Sequence, residues 1–126
     1  MNDRVHLDTN VVVMAMGGDK RLSALVHGRY PLISFVVEME LLCYPLQSAE
    51  EQARMRAFLK DVRVMDMDER VRSEAVKIRK EHKLKLLDAI VAATARVDRI
   101  ALLTAEKQFM RLKEEQSVIL YEQRKS

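Results

Sequence analysis

Five short runs of β-forming residues punctuate this chain, and each of the first four is followed by one or two longer segments with helical spacing. That alternation leaves few folds open. Parallel strands need a crossover segment between them, and a strand–helix–strand order covers both faces of one parallel sheet with helices. The strands read as Arg4–Asp8, Pro31–Phe35, Val62–Asp66, Ile100–Leu103 and Ser117–Tyr121. Ile100-Ala101-Leu102-Leu103 is an unbroken apolar run, as expected of a parallel strand buried on both faces. Helices are expected over Asn10–Met16, Lys20–His27, Val37–Tyr44, Ser48 to about Lys60, Asp68 to about His82, Leu87–Val97 and Glu106–Lys113. Gly17-Gly18 ends the first helix, Gly28 stops the second and Pro45 the third. Ser48-Ala49-Glu50-Glu51 is a capping box. Val71, Ala75 and Ile78 form a buried stripe at helical spacing.

At 126 residues the whole chain, 1–126, is expected to be one α/β domain. With 48% hydrophobic and 33% charged residues it is not disordered by composition. The longest apolar run, Val11–Met16, falls far short of the roughly 20 residues of a membrane span. Met1-Asn2-Asp3-Arg4 leads into the first strand without the pattern of a signal peptide. The lone Cys43 excludes an internal disulfide and a multi-cysteine zinc site, so a cytoplasmic protein is expected.

The net charge of +3 is small, but its distribution is uneven. Between Arg70 and Lys85 lie seven basic and two acidic residues, a local +5. This is either a solvated helix face or a landing surface for phosphates, carried by Lys77, Arg79, Lys80, Lys83 and Lys85.

In open parallel sheets, ligands bind beyond the carboxyl ends of the strands. Asp8 follows the first strand directly, and Thr104 and Glu106 follow the fourth. Glu40 and Asp88 stand on helices in otherwise apolar stretches, Met39-Glu40-Leu41-Leu42 and Leu87-Asp88-Ala89-Ile90. A carboxylate on an apolar face is costly unless something pairs with it, and a divalent cation could serve all of these at once. Glu38 and Glu40 point to nearly opposite sides of their helix, and Glu40 is the better inward candidate. Bland roles exist for each acid: Asp8 and Asp88 could be helix caps, and Glu106 a first-turn dipole partner. His6 reads as a core or edge residue and His82 as packed rather than catalytic.

Four segments carry a family resemblance. Leu7-Asp8-Thr9-Asn10 looks like the opening motif of PIN-domain ribonucleases, and Ile33–Leu42, ending Glu40-Leu41-Leu42, is similar to their second motif. Leu87-Asp88-Ala89-Ile90-Val91-Ala92-Ala93-Thr94-Ala95 closely matches the third, and Leu103-Thr104-Ala105-Glu106-Lys107-Gln108-Phe109 resembles the fourth. Within that family the chain looks most like the VapC toxins of toxin–antitoxin pairs.

The resemblance implies a three-layer α/β/α sandwich with a mostly parallel five-stranded sheet in the order 3-2-1-4-5. It implies a Mg²⁺- or Mn²⁺-dependent endoribonuclease in which Asp8, Glu40 and Asp88 form the core acidic set. Glu106 stands where the family usually has an Asp, one methylene shorter, and Asn10 and Thr104 match the supporting polar positions. Val37 replaces a position that is often Ser or Thr. The implied partners are an RNA substrate, a cognate antitoxin and a second copy of the chain, docked through the short helix near Met14 and Met16. The alternative is a degenerate scaffold of the same fold that binds RNA or a protein without cutting. A phosphoacceptor receiver domain fits less well: a single acid follows the first strand, Lys125 comes too late after the fifth, and Glu40 and Asp88 go unexplained. With three glycines there is no Gly-rich phosphate loop.

Overall fold

The computed structural model describes residues 3–123. Met1 and the terminal segment holding Lys125 lie outside the described residues. Five strands form one sheet: β1 (Arg4–Leu7), β2 (Tyr30–Ser34), β3 (Arg63–Met65), β4 (Leu102–Thr104) and β5 (Val118–Leu120). Their order is β3-β2-β1-β4-β5, and all four neighbouring pairs are parallel. Six α-helices connect them: α1 (Thr9–Met16), α2 (Lys20–Val26), α3 (Phe35–Cys43), α4 (Ala49–Asp61), α5 (Glu69–His82) and α6 (Leu86–Asp98). A 3₁₀ helix, Lys107–Leu112, joins β4 to β5. The chain steps outward from β1 to β3 and then crosses back to β4 and β5. Right-handed crossovers therefore put helices on both faces, which is the expected three-layer sandwich.

Why these residues form these elements is largely a matter of caps. Asp8, Asp19, Ser34, Ser48 and Asp68 are N-caps, and each accepts a backbone N–H of the helix it opens. Ser34 marks a correction. The expected second strand ran through Phe35, with a helix from Val37. Instead the Ser34 hydroxyl accepts the Val37 N–H at 3.2 Å, so α3 begins at Phe35 and Val37 is a buried core residue. The Ser48 box forms on one side as expected: Ser48 Oγ accepts from Glu51 N at 3.0 Å. Its second arm differs, because the Ser48 hydroxyl donates to the Glu51 carboxylate at 3.3 Å instead of the carboxylate reaching back to an amide.

The core fills from both layers. Val71, Ala75 and Ile78 of α5 are buried, as the stripe predicts. They pack against α6, in which every residue from Ala89 to Ala95 is buried. The alanines let the two helix backbones approach closely. His6 is a core residue: its Nε2 lies 2.7 Å from the Asp98 carboxylate, and burial holds its pKa below the ordinary value although Asp98 pulls the other way. His82 is half-buried, with Nε2 2.5 Å from Glu115 Oε2.

Two further expectations need correction. The segment after β4 is not an α-helix. Lys107–Leu112 is a 3₁₀ helix, in which residues three apart eclipse, and Phe109 and Leu112 are both fully buried on one side of it. Met14 and Met16 do not form an exposed apolar surface; both are partly buried against the core. The exposed large apolar side chains lie elsewhere, including Met39, Leu42 and Tyr44 on and after α3, and Leu86 and Leu87 at the start of α6.

Phe109 is the largest fully buried side chain and anchors the 3₁₀ helix beneath β4. Replacing it by Ala is expected to cost about 3–5 kcal/mol of folding stability. Urea unfolding followed by far-UV circular dichroism measures this, and a loss below about 1 kcal/mol would show that the segment is not anchored through Phe109.

Candidate active site

The strand order reverses between β1 and β4, which places the crevice of a parallel sheet at their carboxyl ends. His6 and Leu7 of β1 lie in register with Leu102 and Leu103 of β4. The next residues along each strand, Asp8 and Thr104, are thus brought side by side. The Thr104 hydroxyl donates to Asp8 Oδ2 at 2.7 Å and accepts the Glu106 N–H at 3.0 Å. Asp8 Oδ1 accepts the Thr9 N–H at 2.9 Å. Asp8 therefore does cap α1, as one bland reading held, while its second oxygen belongs to the site.

Asn10 leaves the first turn of α1 and bridges to the loop after β4. Its Nδ2 donates to Glu106 Oε1 at 3.1 Å, and its Oδ1 accepts the Ala105 N–H at 3.2 Å. Glu40 reaches the same place from α3, where Thr9 Oγ1 donates to its Oε1 at 2.5 Å. Asp88 arrives from the first turn of α6. It is not a cap: the N-cap position is Lys85, whose side chain makes no capping bond. Glu106 is likewise the residue before the 3₁₀ helix and makes no capping bond.

Glu40, Asp88 and Glu106 line a cleft of about 580 Å³ together with Gln108, and Asp8 lies beside it without lining it. Lys83, Lys85 and Arg111 line it as well, with apolar Leu84, Leu86 and Leu87 between them. The basic window thus divides. Lys83 and Lys85 flank the buried Leu84 and reach the cleft, whereas Lys77, Arg79 and Lys80 stay exposed on α5 away from its wall. Glu40 also departs from its expected setting: it is exposed at the cleft, so no burial cost compels it to find a partner. Glu38 does not line the cleft.

Charge in the site is unbalanced. Asp8 is 4% exposed, and burial pushes its pKa up to about 7, with the charges of Glu106 and Asp88 adding to the rise and the Thr104 and Thr9 bonds opposing it. Burial also raises Asp88, while hydrogen bonding to Gln108 and the charge of Lys85 lower it. The four acids do not form a tight cage. Among the described residues, the group whose ligand atoms all lie within 4.8 Å of one another is Glu81, His82 and Glu115. That group is an ion-pair network, because Arg96 Nη2 donates to Glu115 Oε1 at 3.3 Å.

Three residues of the site were not singled out from the sequence: Thr9, Gln108 and Arg111. Thr9 stood inside a motif without an assigned role. Gln108 and Arg111 are three residues apart, the spacing that puts two side chains of a 3₁₀ helix on one face.

The model of the family described as the PIN domain matches residues 5–115. No curated protein sequence matches the chain. Among solved structures, a toxin–antitoxin complex from Klebsiella pneumoniae contains a chain 29% identical, with a TM-score of 0.73 over 83% of this chain and 89% of that one. VapBC2 from Rickettsia felis, bound to a DNA fragment from its promoter, is 20% identical, with a TM-score of 0.75 over 94% of this chain and 99% of that one. FitAcB from Neisseria gonorrhoeae is 19% identical, with a TM-score of 0.74 over 91% and 96%.

The raised Asp8 pKa has a thermodynamic consequence. A carboxyl that titrates higher in the folded protein than in the unfolded chain binds more protons when folded. Its contribution to stability is present at low pH and falls as pH rises from about 4 to about 7. His6, with a lowered pKa, acts in the opposite sense below its ordinary value of 6.5. Comparing wild type with Asp8→Asn removes that background. The metal-free wild type is expected to lose stability relative to the variant between pH 4.5 and pH 7.5, by on the order of a few kcal/mol. Parallel pH–stability curves for the two proteins would contradict the raised pKa.

Proposed function

The chain belongs to the PIN-domain family, and from that premise we propose that it is a metal-dependent endoribonuclease and the toxin of a toxin–antitoxin pair. PIN domains are generally nucleases. The observation that carries the reading is the gathering of Glu40, Asp88 and Glu106 in one cleft with Lys83, Lys85 and Arg111, next to Asp8 at the β1/β4 switch point. The donor set fits Mg²⁺ or Mn²⁺: it consists of hard carboxylate oxygens, without cysteine or histidine. The electrostatics fit as well, since the burial and crowding that push Asp8 up are relieved by a nearby cation.

Asp8, Glu40, Asp88 and Glu106 would hold the ion, with Thr104, Thr9 and Asn10 orienting three of them. A bound divalent cation supplies charge neutralisation at the phosphoryl oxygens and an activated water. The chain's own contribution is to place the RNA. Lys83, Lys85 and Arg111 take backbone phosphates at the cleft, and Leu86 and Leu87 offer apolar surface beside them. Lys77, Arg79 and Lys80 extend the positive field along α5. The antitoxin reading draws on the neighbouring folds, which come from toxin–antitoxin complexes. A homodimer would bury the exposed α3 side chains Met39 and Leu42 in place of Met14 and Met16. A cytoplasmic location suits an RNA-cutting toxin, and among the described residues no helix is long and apolar enough to cross a membrane.

One observation favours a second reading: the acids are spread more widely than a preformed cage. A degenerate scaffold would bind RNA without cleaving it and would take up Mn²⁺ weakly. Cleavage of a structured RNA separates the readings. Wild type is expected to cut in Mn²⁺ and not in EDTA, and Asp88→Asn, which keeps the fold, is expected to fall to the EDTA level. Undiminished cleavage by Asp88→Asn would remove Asp88 from the site.

The salt dependence of RNA binding tests the basic residues. Reversing the charge of Lys83 and Lys85 is expected to lower the log–log slope by about 0.7 for each lost phosphate contact on single-stranded RNA. A slope unchanged by the double reversal would show that these lysines are only solvated.

A further inference from the structure

Gln108 is the one neutral polar side chain on the cleft wall, and it stands between two acids that come from different parts of the chain. Its Nε2 donates to Glu106 Oε2, and its side chain lies near enough to the Asp88 carboxylate to hold that pKa down against burial. A primary amide carries two N–H groups, which suits it to serve two carboxylates at once. The other Glu106 oxygen, Oε1, takes the Asn10 amide, itself fixed by the Ala105 N–H. Both oxygens of Glu106 are thus held by side-chain amides, one from α1 and one from the 3₁₀ helix.

Glu106 needs this support more than a shorter acid would. A glutamate has one more rotatable bond than an aspartate, so its carboxylate sweeps a larger volume and loses more freedom when fixed. Gln108 is itself well placed to restrain it. Phe109 and Leu112 are fully buried on one side of the 3₁₀ helix, so Gln108 and Arg111 are turned to the cleft. Each carboxylate oxygen that accepts an amide N–H keeps a second lone pair for another partner.

We propose that Gln108 is a positioning residue for the cation site: its amide bridges Asp88 and Glu106 and holds the longer Glu106 side chain at ligand distance from the other acids. The inference rests on the metal-dependent reading above and adds to it a residue with a defined dependence on its partner. Gln108 matters because position 106 is a glutamate. An aspartate there would draw the carboxylate back by one methylene, away from the Gln108 amide and toward Asn10 and the backbone.

A double-mutant cycle read by Mn²⁺ binding tests this without reference to catalysis. Calorimetric titration of metal-free protein with Mn²⁺ would compare wild type, Gln108→Met, Glu106→Asp and the double variant. Gln108→Met keeps the side chain's size and removes both N–H donors. Loss of a group that orients a metal ligand typically costs about 10–100-fold in affinity, and about 10-fold is expected for Gln108→Met in the wild-type background. In the Glu106→Asp background the same change is expected to weaken Mn²⁺ binding by less than about twofold. Gln108→Ala serves as a second variant should Met fail to fold. RNA binding in EDTA is expected to be equal for wild type and Gln108→Met. A drop there would overturn the proposal in favour of a direct RNA contact. Equal Mn²⁺ affinity in wild type and Gln108→Met, or the same loss in both backgrounds, would overturn it while leaving the metal site standing. Wild type that binds no Mn²⁺ would overturn the metal-dependent reading, and this inference with it.

Discussion

The hydrogen bond from Thr104 to Asp8 is the contact on which the cleft depends. It spans the adjoining ends of β1 and β4, the place where the sheet's strand order reverses. One hydroxyl serves two acids there. It donates to the Asp8 carboxylate and accepts the amide of Glu106, so the position of one acid is referred to the position of the other. Thr104 is fully buried, and an unpaired hydroxyl at such a depth would be costly. Parallel register fixes the two strand ends relative to each other, and the hydroxyl converts that register into a spacing between functional groups. Asn10 repeats the device one residue pair further out, between α1 and the loop after β4.

The electrostatic character of the cleft follows from this frame. Asp8 is nearly inaccessible, while Glu40 stands exposed at the cleft and Asp88 lies between these extremes. The acids therefore do not share one environment. Burial makes Asp8 resist ionisation, so neutralising charge is needed most at the inner end. The basic residues line the same cleft from the α5–α6 connection and the 3₁₀ helix, and among the described residues no acid of the cleft forms an ion pair with them. A cleft whose acids and bases are not consumed in ion pairs with each other retains both for a ligand that carries anions and a cation together.

Much of this was legible in the residues, and the failures have definite causes. Asp8 was found because an acid directly after a parallel strand can face only the crevice or a helix N-terminus, and it turns out to serve both. That only one of Glu38 and Glu40 could face the site followed from 100° per residue; Glu40 was chosen from its neighbours Val36, Val37 and Leu41, and it is the one that lines the cleft, although it is the more exposed of the two. The element order was readable from the alternation of patterns. The sheet order was not, since nothing in a strand's own residues names its neighbour, and it came through the four-motif resemblance. The start of α3 was misplaced because Ser34 is at once the last strand residue and a cap, and apolar spacing alone cannot separate the two. Glu40 was credited with a burial cost it does not bear, because Met39 and Leu42 beside it are exposed and its stretch of sequence only looks like a core face. Gln108 escaped notice because an amide has no charge to draw attention, and nothing in its own residue type marks it as part of a cleft wall.

The 3₁₀ helix also constrains how this protein can change in length. Its six residues sort into three straight tracks: Lys107 with Met110, Gln108 with Arg111, and Phe109 with Leu112. The last track is core and the middle one is cleft. In an α-helix the 3.6-residue period blurs such tracks, so a gained or lost residue rotates the downstream face by 100° and neighbouring side chains partly take over. Here a single insertion turns every later residue by a full third of a circle, carrying Arg111 toward the packed interior and Leu112 away from it. The stretch from Glu106 to β5 is thus quantised in steps of three. Relatives that keep the same cleft while varying in this connection would be expected to differ by whole turns, with gaps of one or two residues displaced into the loop that follows Leu112.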